Sequence, residues 1–447
     1  MSVPQLPEGF VFGTSTSAFQ VEGAAAEDGR GPSIWDTFAG RPGNIVDGSD
    51  GSVAADHYHR LDEDLALLRR LGARGHRFSI SWSRVLPSGR GAPNPKGLAF
   101  YDRLIDGLLE AGIEPMATLY HFDLPQHLED DGGWLNRSTV DAFADYAALV
   151  ADRFADRVTH WVPVSEPAVA ALMGYGTGEH APGRKLSFDA LAVAHHLLLA
   201  HGRAVIELRT AGAESVGCAN NHAPMWPASD DEADLGATKL FDALWNGLFL
   251  EPMLLGRYPA DLAPLLEDLV RPGDLATIRQ PLDFYGVNYY SPIRVAAADE
   301  GADTPFRFVP LLGHEQTASG WSVVPRALRE WLILTRARFR AGLPPFVITE
   351  SGASFHEQPG ADGVVDDGAR IGYLQAHLEA VSAAVQRGVD VRGYYVWSLL
   401  DSFEWVNGYT TPYGLVHVDR DTLERTPKRS FEWYADLIAA QAAANNS

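Results

Sequence analysis

His160-Trp161-Val162-Pro163-Val164-Ser165-Glu166-Pro167 and Pro345-Phe346-Val347-Ile348-Thr349-Glu350-Ser351-Gly352 share one pattern, a short apolar run that ends on a glutamate. A strand buried on both faces reads as a near-continuous hydrophobic segment and carries polar chemistry only where it emerges into a loop. Pro167 disfavours the α region for Glu166 and predicts an extended backbone at that strand tip, while Gly352 predicts a tight turn just past Glu350. Six further apolar stretches complete a set of eight: Phe10 to Gln20, His76 to Ser81, Ile113 to Tyr120, Ser215 to Asn221, Asp283 to Ser291 and Val391 to Leu400 join His160 to Glu166 and Pro345 to Glu350. Segments of helical period lie between them: Tyr58 to Leu71, Leu98 to Ala111, Val140 to Phe154, Phe188 to Thr210, Leu240 to Leu255, Pro325 to Ala341 and Arg370 to Gln386. Ser430 to Ala443 ends the series. Eight alternating units predict an α/β fold, a (β/α)8 TIM barrel.

No Pro/Gly/Ser-rich linker, charge block or low-complexity stretch divides the 447 residues, so one domain spanning 1–447 is expected; Asp230 to Asp234 and Asp299 to Arg307 read as long surface loops. Acidic residues outnumber basic ones by 58 to 36, a formal charge of −22, which argues against binding nucleic acid or an anionic membrane. The start, Met1-Ser2-Val3-Pro4-Gln5-Leu6-Pro7-Glu8, shows no basic region followed by an apolar run, and no apolar stretch reaches about 18 residues. A cytoplasmic protein acting on a neutral small molecule is the expectation. Cys218 is the only cysteine, which leaves no intrachain disulfide and no multi-thiolate zinc site; its apolar neighbours predict a buried strand residue.

Polar residues gather where the predicted strands end. Gln20 closes the first, Arg77 lies in the second, His121 follows the third and Glu166 ends the fourth. Asn220, Asn221 and His222 follow at the fifth, Asn288 and Tyr290 at the sixth, Glu350 at the seventh, and Trp397, Glu404 and Trp405 at and beyond the eighth. A barrel builds its active site at this face, so two carboxylates from separate strands meeting there suggest an acid and a nucleophile for breaking a glycosidic bond.

Five ordered motifs sharpen the reading: Phe12-Gly13-Thr14-Ser15-Thr16-Ser17-Ala18-Phe19-Gln20-Val21-Glu22-Gly23, Arg77-Phe78-Ser79-Ile80-Ser81-Trp82-Ser83-Arg84, Asp283-Phe284-Tyr285-Gly286-Val287-Asn288-Tyr289-Tyr290, Thr349-Glu350-Ser351-Gly352 and Val396-Trp397-Ser398-Leu399-Leu400-Asp401-Ser402-Phe403-Glu404-Trp405. Together they resemble glycoside hydrolase family 1, the β-glucosidase and β-galactosidase family. The resemblance implies a retaining β-glycosidase acting through a covalent glycosyl-enzyme, with carboxyl groups roughly 5 to 5.5 Å apart. It implies Glu166 as acid/base, Glu350 as nucleophile, and Arg77 and Tyr290 as supports of the nucleophile's anion. Gln20, His121, Glu404 and Trp405 would hydrogen-bond the sugar, Trp397 would stack beneath its ring, and no metal or organic cofactor is required.

Departures from the family pattern touch the same subsite. Ser165 stands where Asn usually precedes the acid/base, Phe122 where Trp usually follows the histidine, Ser351 where Asn usually follows the nucleophile, and His76 replaces an aromatic before Arg77. The late Arg-Phe-Gly element reads Pro412-Tyr413-Gly414. By resemblance, Ser165 and Phe122 replace donors to the sugar 2- and 3-hydroxyls, so one expectation is a sugar modified or deoxygenated at C2 or C3. The alternatives are an ordinary β-glucosidase with a remodelled pocket and a non-catalytic sugar-binding protein. His57-Tyr58-His59 has zinc-ligand spacing, but its place before Leu61, Leu65 and Leu68 predicts a helix start instead. The aglycone side is expected to be formed by Ala223 to Asp234 and Ala297 to Ser319.

Overall fold

The computed structural model describes residues 4–360 and 363–445; positions 1–3, which belong to the stretch read for a leader, and 361–362 and 446–447 of the expected 1–447 domain lie outside the described residues. Eight parallel strands form: β1 (Val11–Ser15), β2 (Gly75–Ser79), β3 (Glu114–Tyr120), β4 (His160–Val164), β5 (Ser215–Asn221), β6 (Phe284–Asn288), β7 (Phe346–Ser351) and β8 (Val391–Trp397). They pair in chain order and close, with β1 bonded to both β2 and β8. Closure leaves the barrel without an unpaired edge.

Met116, Val162, Ala219, Phe284, Val347 and Tyr395, one from each of β3 to β8, form a buried cluster. Gly13 and Gly75 make room for the largest of them, since a Cβ at either would lie 2.5 Å from an atom of Tyr395. Alternation along β2 turns Gly75 and Arg77 one way and His76 the other, where its Nδ1 meets Thr14 Oγ1 at 2.9 Å. Burial holds that imidazole neutral, its pKa lowered to about 3. Outside the barrel, helix Ser138–Phe154 buries Val140, Phe143, Ala147, Val150 and Phe154. That three-and-four spacing gives one apolar face, on which each valine and phenylalanine side chain contributes about 1.5–3 kcal/mol by leaving water.

Several predicted boundaries shift. The first strand stops at Ser15, and Gln20 rides on a helical turn, Ala18–Val21, because Ala18 N–H is taken by Ser79 Oγ at 2.7 Å rather than by a strand neighbour. The eighth ends at Trp397 rather than Leu400. Asp230 to Asp234 is not all loop, since helix Glu232–Asp242 begins there with acids in its first turn, which favour a helix N-terminus. Asp299 to Arg307 runs into a strand, Phe306–Val309, antiparallel to Ile293–Ala297, because Phe306 and Phe308 pack on Phe241. His57-Tyr58-His59 lies in the turn before helix Leu61–Leu71, with His57 Nδ1 2.7 Å from Asp64 and His59 Nδ1 2.6 Å from Asp56. The two rings are thus committed to different carboxylates. Cys218 is buried in β5, its thiol pushed up to about 12 by burial. Among the described residues no helix is long and apolar enough to cross a membrane.

Candidate active site

Parallel register brings the strand ends to one rim: Tyr120 faces Val164, Ser165 bridges to Ala219, Asn221 faces Asn288, and Glu350 faces Asn288. Glu350 is 3% exposed and Glu166 6%, and both line one cavity. Arg77, wholly buried, pairs with Glu350 Oε1 through Nη1, and the Tyr290 hydroxyl donates to Oε2 at 2.9 Å. Burial raises the Glu350 pKa, while the guanidinium and the phenol pull it back down. Among the described residues no such cation contacts Glu166. Its Oε1 accepts from Asn288 Nδ2 at 2.8 Å and Asn221 Nδ2 at 3.0 Å. Burial and then the Glu350 charge push its pKa up to about 8. At neutral pH the proton of the pair therefore belongs on Glu166, because only Glu350 has a guanidinium to hold its anion.

Backbone geometry departs from expectation at both acids. Glu166 is not extended: its φ is 45°, in the left-handed region that non-glycine residues enter at a cost. Its N–H is fixed to Ala219 O at 2.7 Å, and its carbonyl already accepts from Ala170 N, so the chain must turn from strand to helix in a single residue. Phe122 (φ 74°) and Trp405 (φ 50°) are held in the same region. All three line the cavity, where such strain is characteristically tolerated. Gly352 does not supply a positive φ; a Cβ there would lie 1.9 Å from Trp397 O, so it is needed for close approach of β7 to β8.

Of the other expected site residues, His121, Phe122, Tyr290, Trp397, Glu404 and Trp405 line the same cavity, whereas Gln20, Arg77, Ser165 and Asn288 stand behind it. Gln20 donates to Phe403 O at 2.9 Å and Glu404 Oε2 at 3.0 Å, and its carbonyl accepts from Ser17 at 2.7 Å. Glu404 is pushed up to about 8 by burial, with Trp397 and Gln20 opposing. The His121 ring stacks on Trp405 at 5.9 Å, its Nδ1 is buried without a partner, and burial holds it neutral. Ser165 is spent inward: its hydroxyl accepts from Arg77 Nη2 at 2.8 Å. Thr118 accepts from Arg77 Nε at 3.0 Å, so hydroxyls orient the guanidinium that faces the nucleophile.

The cavity occupies about 1340 Å³, more than one sugar ring fills, and continues outward between two π-helical segments. Val169–Thr177 contributes Leu172 and Met173; Ala243–Gly247 contributes Leu244 and Trp245. The expected loop 297–319 supplies Phe306 and Phe308, and Phe241 lies 4.8 Å from each of their rings. Trp245, Trp321 and Tyr413 were not among the predicted site residues. Trp321 lies in an irregular segment without periodicity, and Trp245 falls inside an apolar helical pattern that gives it no distinction from a core residue.

The profile of glycosyl hydrolase family 1 matches residues 2–443. A β-glucosidase A from Acetivibrio thermocellus is 43% identical over 446 residues, covering 98% of this chain and 99% of its own. A bifunctional β-D-glucosidase/β-D-fucosidase from Bifidobacterium breve is 43% identical, covering 98% and 99%. The solved family 1 β-glucosidase from Thermotoga maritima superposes with a TM-score of 0.93 at 41% identity, covering 98% and 99%. A closed barrel, two buried carboxylates at its mouth and end-to-end similarity lead to one assignment: the chain belongs to glycosyl hydrolase family 1, a retaining β-glycosidase family.

Proposed function

We propose that this protein hydrolyses β-glucosides by double displacement, with Glu350 as nucleophile and Glu166 as acid/base. The observation that carries the assignment is the asymmetry of the two acids: Arg77 and Tyr290 hold Glu350, whereas two amides hold Glu166. An ionised carboxylate attacks the anomeric carbon while the protonated one gives its proton to the departing oxygen. Forming the glycosyl ester removes the charge on Glu350, and with it one cause of the raised Glu166 pKa. Glu166, its proton already given to the leaving group, is therefore favoured as a carboxylate and takes a proton from the incoming water. Incubation with a slow 2-fluoro β-glucoside and peptide mass analysis should place one sugar on Glu350; a label elsewhere, or none with any reactive glycoside, overturns the assignment.

The Glu166 and Glu350 roles, and the sugar contacts of His121, Phe122, Tyr290, Trp397, Glu404 and Trp405, rest on this reading; Gln20, Ser165 and Asn288, also expected to touch the sugar, brace the subsite from behind. A non-catalytic binder would have no use for a buried Arg77–Glu350 pair, whose desolvation is costly. The natural sugar invites a second reading, favoured by the commitment of Ser165 to Arg77 and the lack of a donor on Phe122. Both leave the C2 and C3 side of the ring short of protein donors. On that reading a matched pair of aryl β-glucoside and 2-deoxyglucoside should differ in kcat/KM by less than about tenfold, where a strong 2-hydroxyl contact contributes several kcal/mol. A preference above about a hundredfold for the hydroxylated substrate sinks it and leaves an ordinary β-glucosidase with a remodelled pocket.

A further inference from the structure

The two amides on Glu166 are each locked in one orientation. Thr349 Oγ1 donates to Asn288 Oδ1 at 2.6 Å, which leaves Nδ2 for Glu166. Trp245 Nε1, a group that only donates, reaches Asn221 Oδ1 at 3.1 Å and leaves Asn221 Nδ2 for the same carboxyl oxygen. Turned over, Asn221 would set its NH2 against the indole N–H and its carbonyl against Glu166 Oε1. Among the described residues no donor reaches Glu166 Oε2, and Glu166 lines the cavity.

Building on the assignment of Glu166 as the acid, we propose that Trp245 is a positioning residue which, through Asn221, confines the catalytic proton to Oε2 of Glu166. An oxygen that accepts two amide N–H bonds is a poor place for an acidic hydrogen, so the proton is left on the other oxygen. Trp245 sits on the π-helical turn Ala243–Gly247, between helices Glu232–Asp242 and Leu248–Leu255. Single π turns inside helices are frequent at functional sites. The same indole lies 5.9 Å from Phe241, which packs against Phe306 and Phe308. The outer wall of the cavity is therefore linked to the acid by one path, ring packing as far as the indole and hydrogen bonds from its N–H through Asn221 to Glu166.

Trp245→Phe removes the N–H and keeps an aromatic ring in the wall. With an alkyl β-glucoside, whose leaving group needs protonation, kcat/KM should fall about tenfold, the effect of one hydrogen bond acting through the acid. With a dinitrophenyl β-glucoside, whose leaving group departs unassisted, kcat/KM should stay within about twofold. The basic limb of the alkyl-glucoside pH profile should move upward, because the Asn221 N–H is among the contacts that lower the proton affinity of Glu166. In an Asn221→Ala background, Trp245→Phe should add nothing further, and thermal denaturation should confirm that each variant is folded. A parallel fall with both substrates and an unmoved basic limb would mean that the indole only packs, and unchanged alkyl-glucoside turnover would equally overturn the proposal. Failure of the unsubstituted protein to cleave either glucoside would instead defeat the underlying assignment of Glu166.

Discussion

Glu350→Gln is expected to lower kcat/KM for any β-glucoside by about ten-thousandfold, close to 5.4 kcal/mol of lost transition-state stabilisation. An amide is too weak a nucleophile to form the glycosyl ester, so the first covalent step disappears with all substrates, whatever their leaving group. The Gln oxygen can still accept from Arg77 at the Oε1 position, and its NH2 can donate to the Tyr290 hydroxyl at the other, once that hydroxyl turns to accept. Folding should therefore persist. Initial rates on an activated aryl glucoside, with a circular dichroism melt on the same sample, check both halves. Residual turnover within a hundredfold would place the nucleophile elsewhere.

Glu166→Gln should show a different signature. Loss of the acid slows alkyl glucosides by about a thousandfold, in the range for general acid–base catalysis, but hardly slows departure of a dinitrophenolate. Such a substrate should give a rapid burst followed by slow turnover, because the glycosyl-enzyme still forms while water lacks its base. The pH dependence separates the variants as well. Glu166 must start protonated, and its pKa is raised to about 8. Activity in the unsubstituted protein is accordingly present below that pH and lost as pH rises through it. Gln does not titrate, so the variant's first step should have no limb near pH 8. Persistence of that limb would assign it to another group, of which Glu404, also near 8, is the foremost.

Much of this arrangement was legible along the chain. Each barrel strand reads as a short apolar run because it is covered on both faces, and the helices between them show the three-and-four period of a half-buried surface. Glu166 and Glu350 stand out since a charge at the end of such a run must face either solvent or a site. Phe306–Val309 was hidden because its partner strand, Ile293–Ala297, is itself short and its apolar face is completed by Phe241 from a different segment. The start of helix Glu232–Asp242 was hidden by acids that read as a solvated loop but also suit a helix N-terminus.

Local sequence preference failed at Glu166, where Pro167 favours extension yet φ is 45°. There the hydrogen bond to Ala219 from the neighbouring strand outweighs the pull of the next residue. Ser165 illustrates the same limit. Its identity as a departure from the family pattern is visible in one dimension, but whether its hydroxyl faces sugar or Arg77 depends on which neighbour lies 2.8 Å away.

Fold class and the pair of acids were thus determined by the sequence itself, because burial periodicity and the placement of charge at strand ends are properties of consecutive residues. Tertiary structure alone decided which acid keeps its proton, which polar groups meet the cavity and which brace it from behind. Those outcomes depend on partners far apart in the chain, Arg77 with Glu350 and Trp245 with Asn221 and Glu166. Electrostatic and hydrogen-bond energies act over a few ångströms of space, and only closure of the barrel sets those distances.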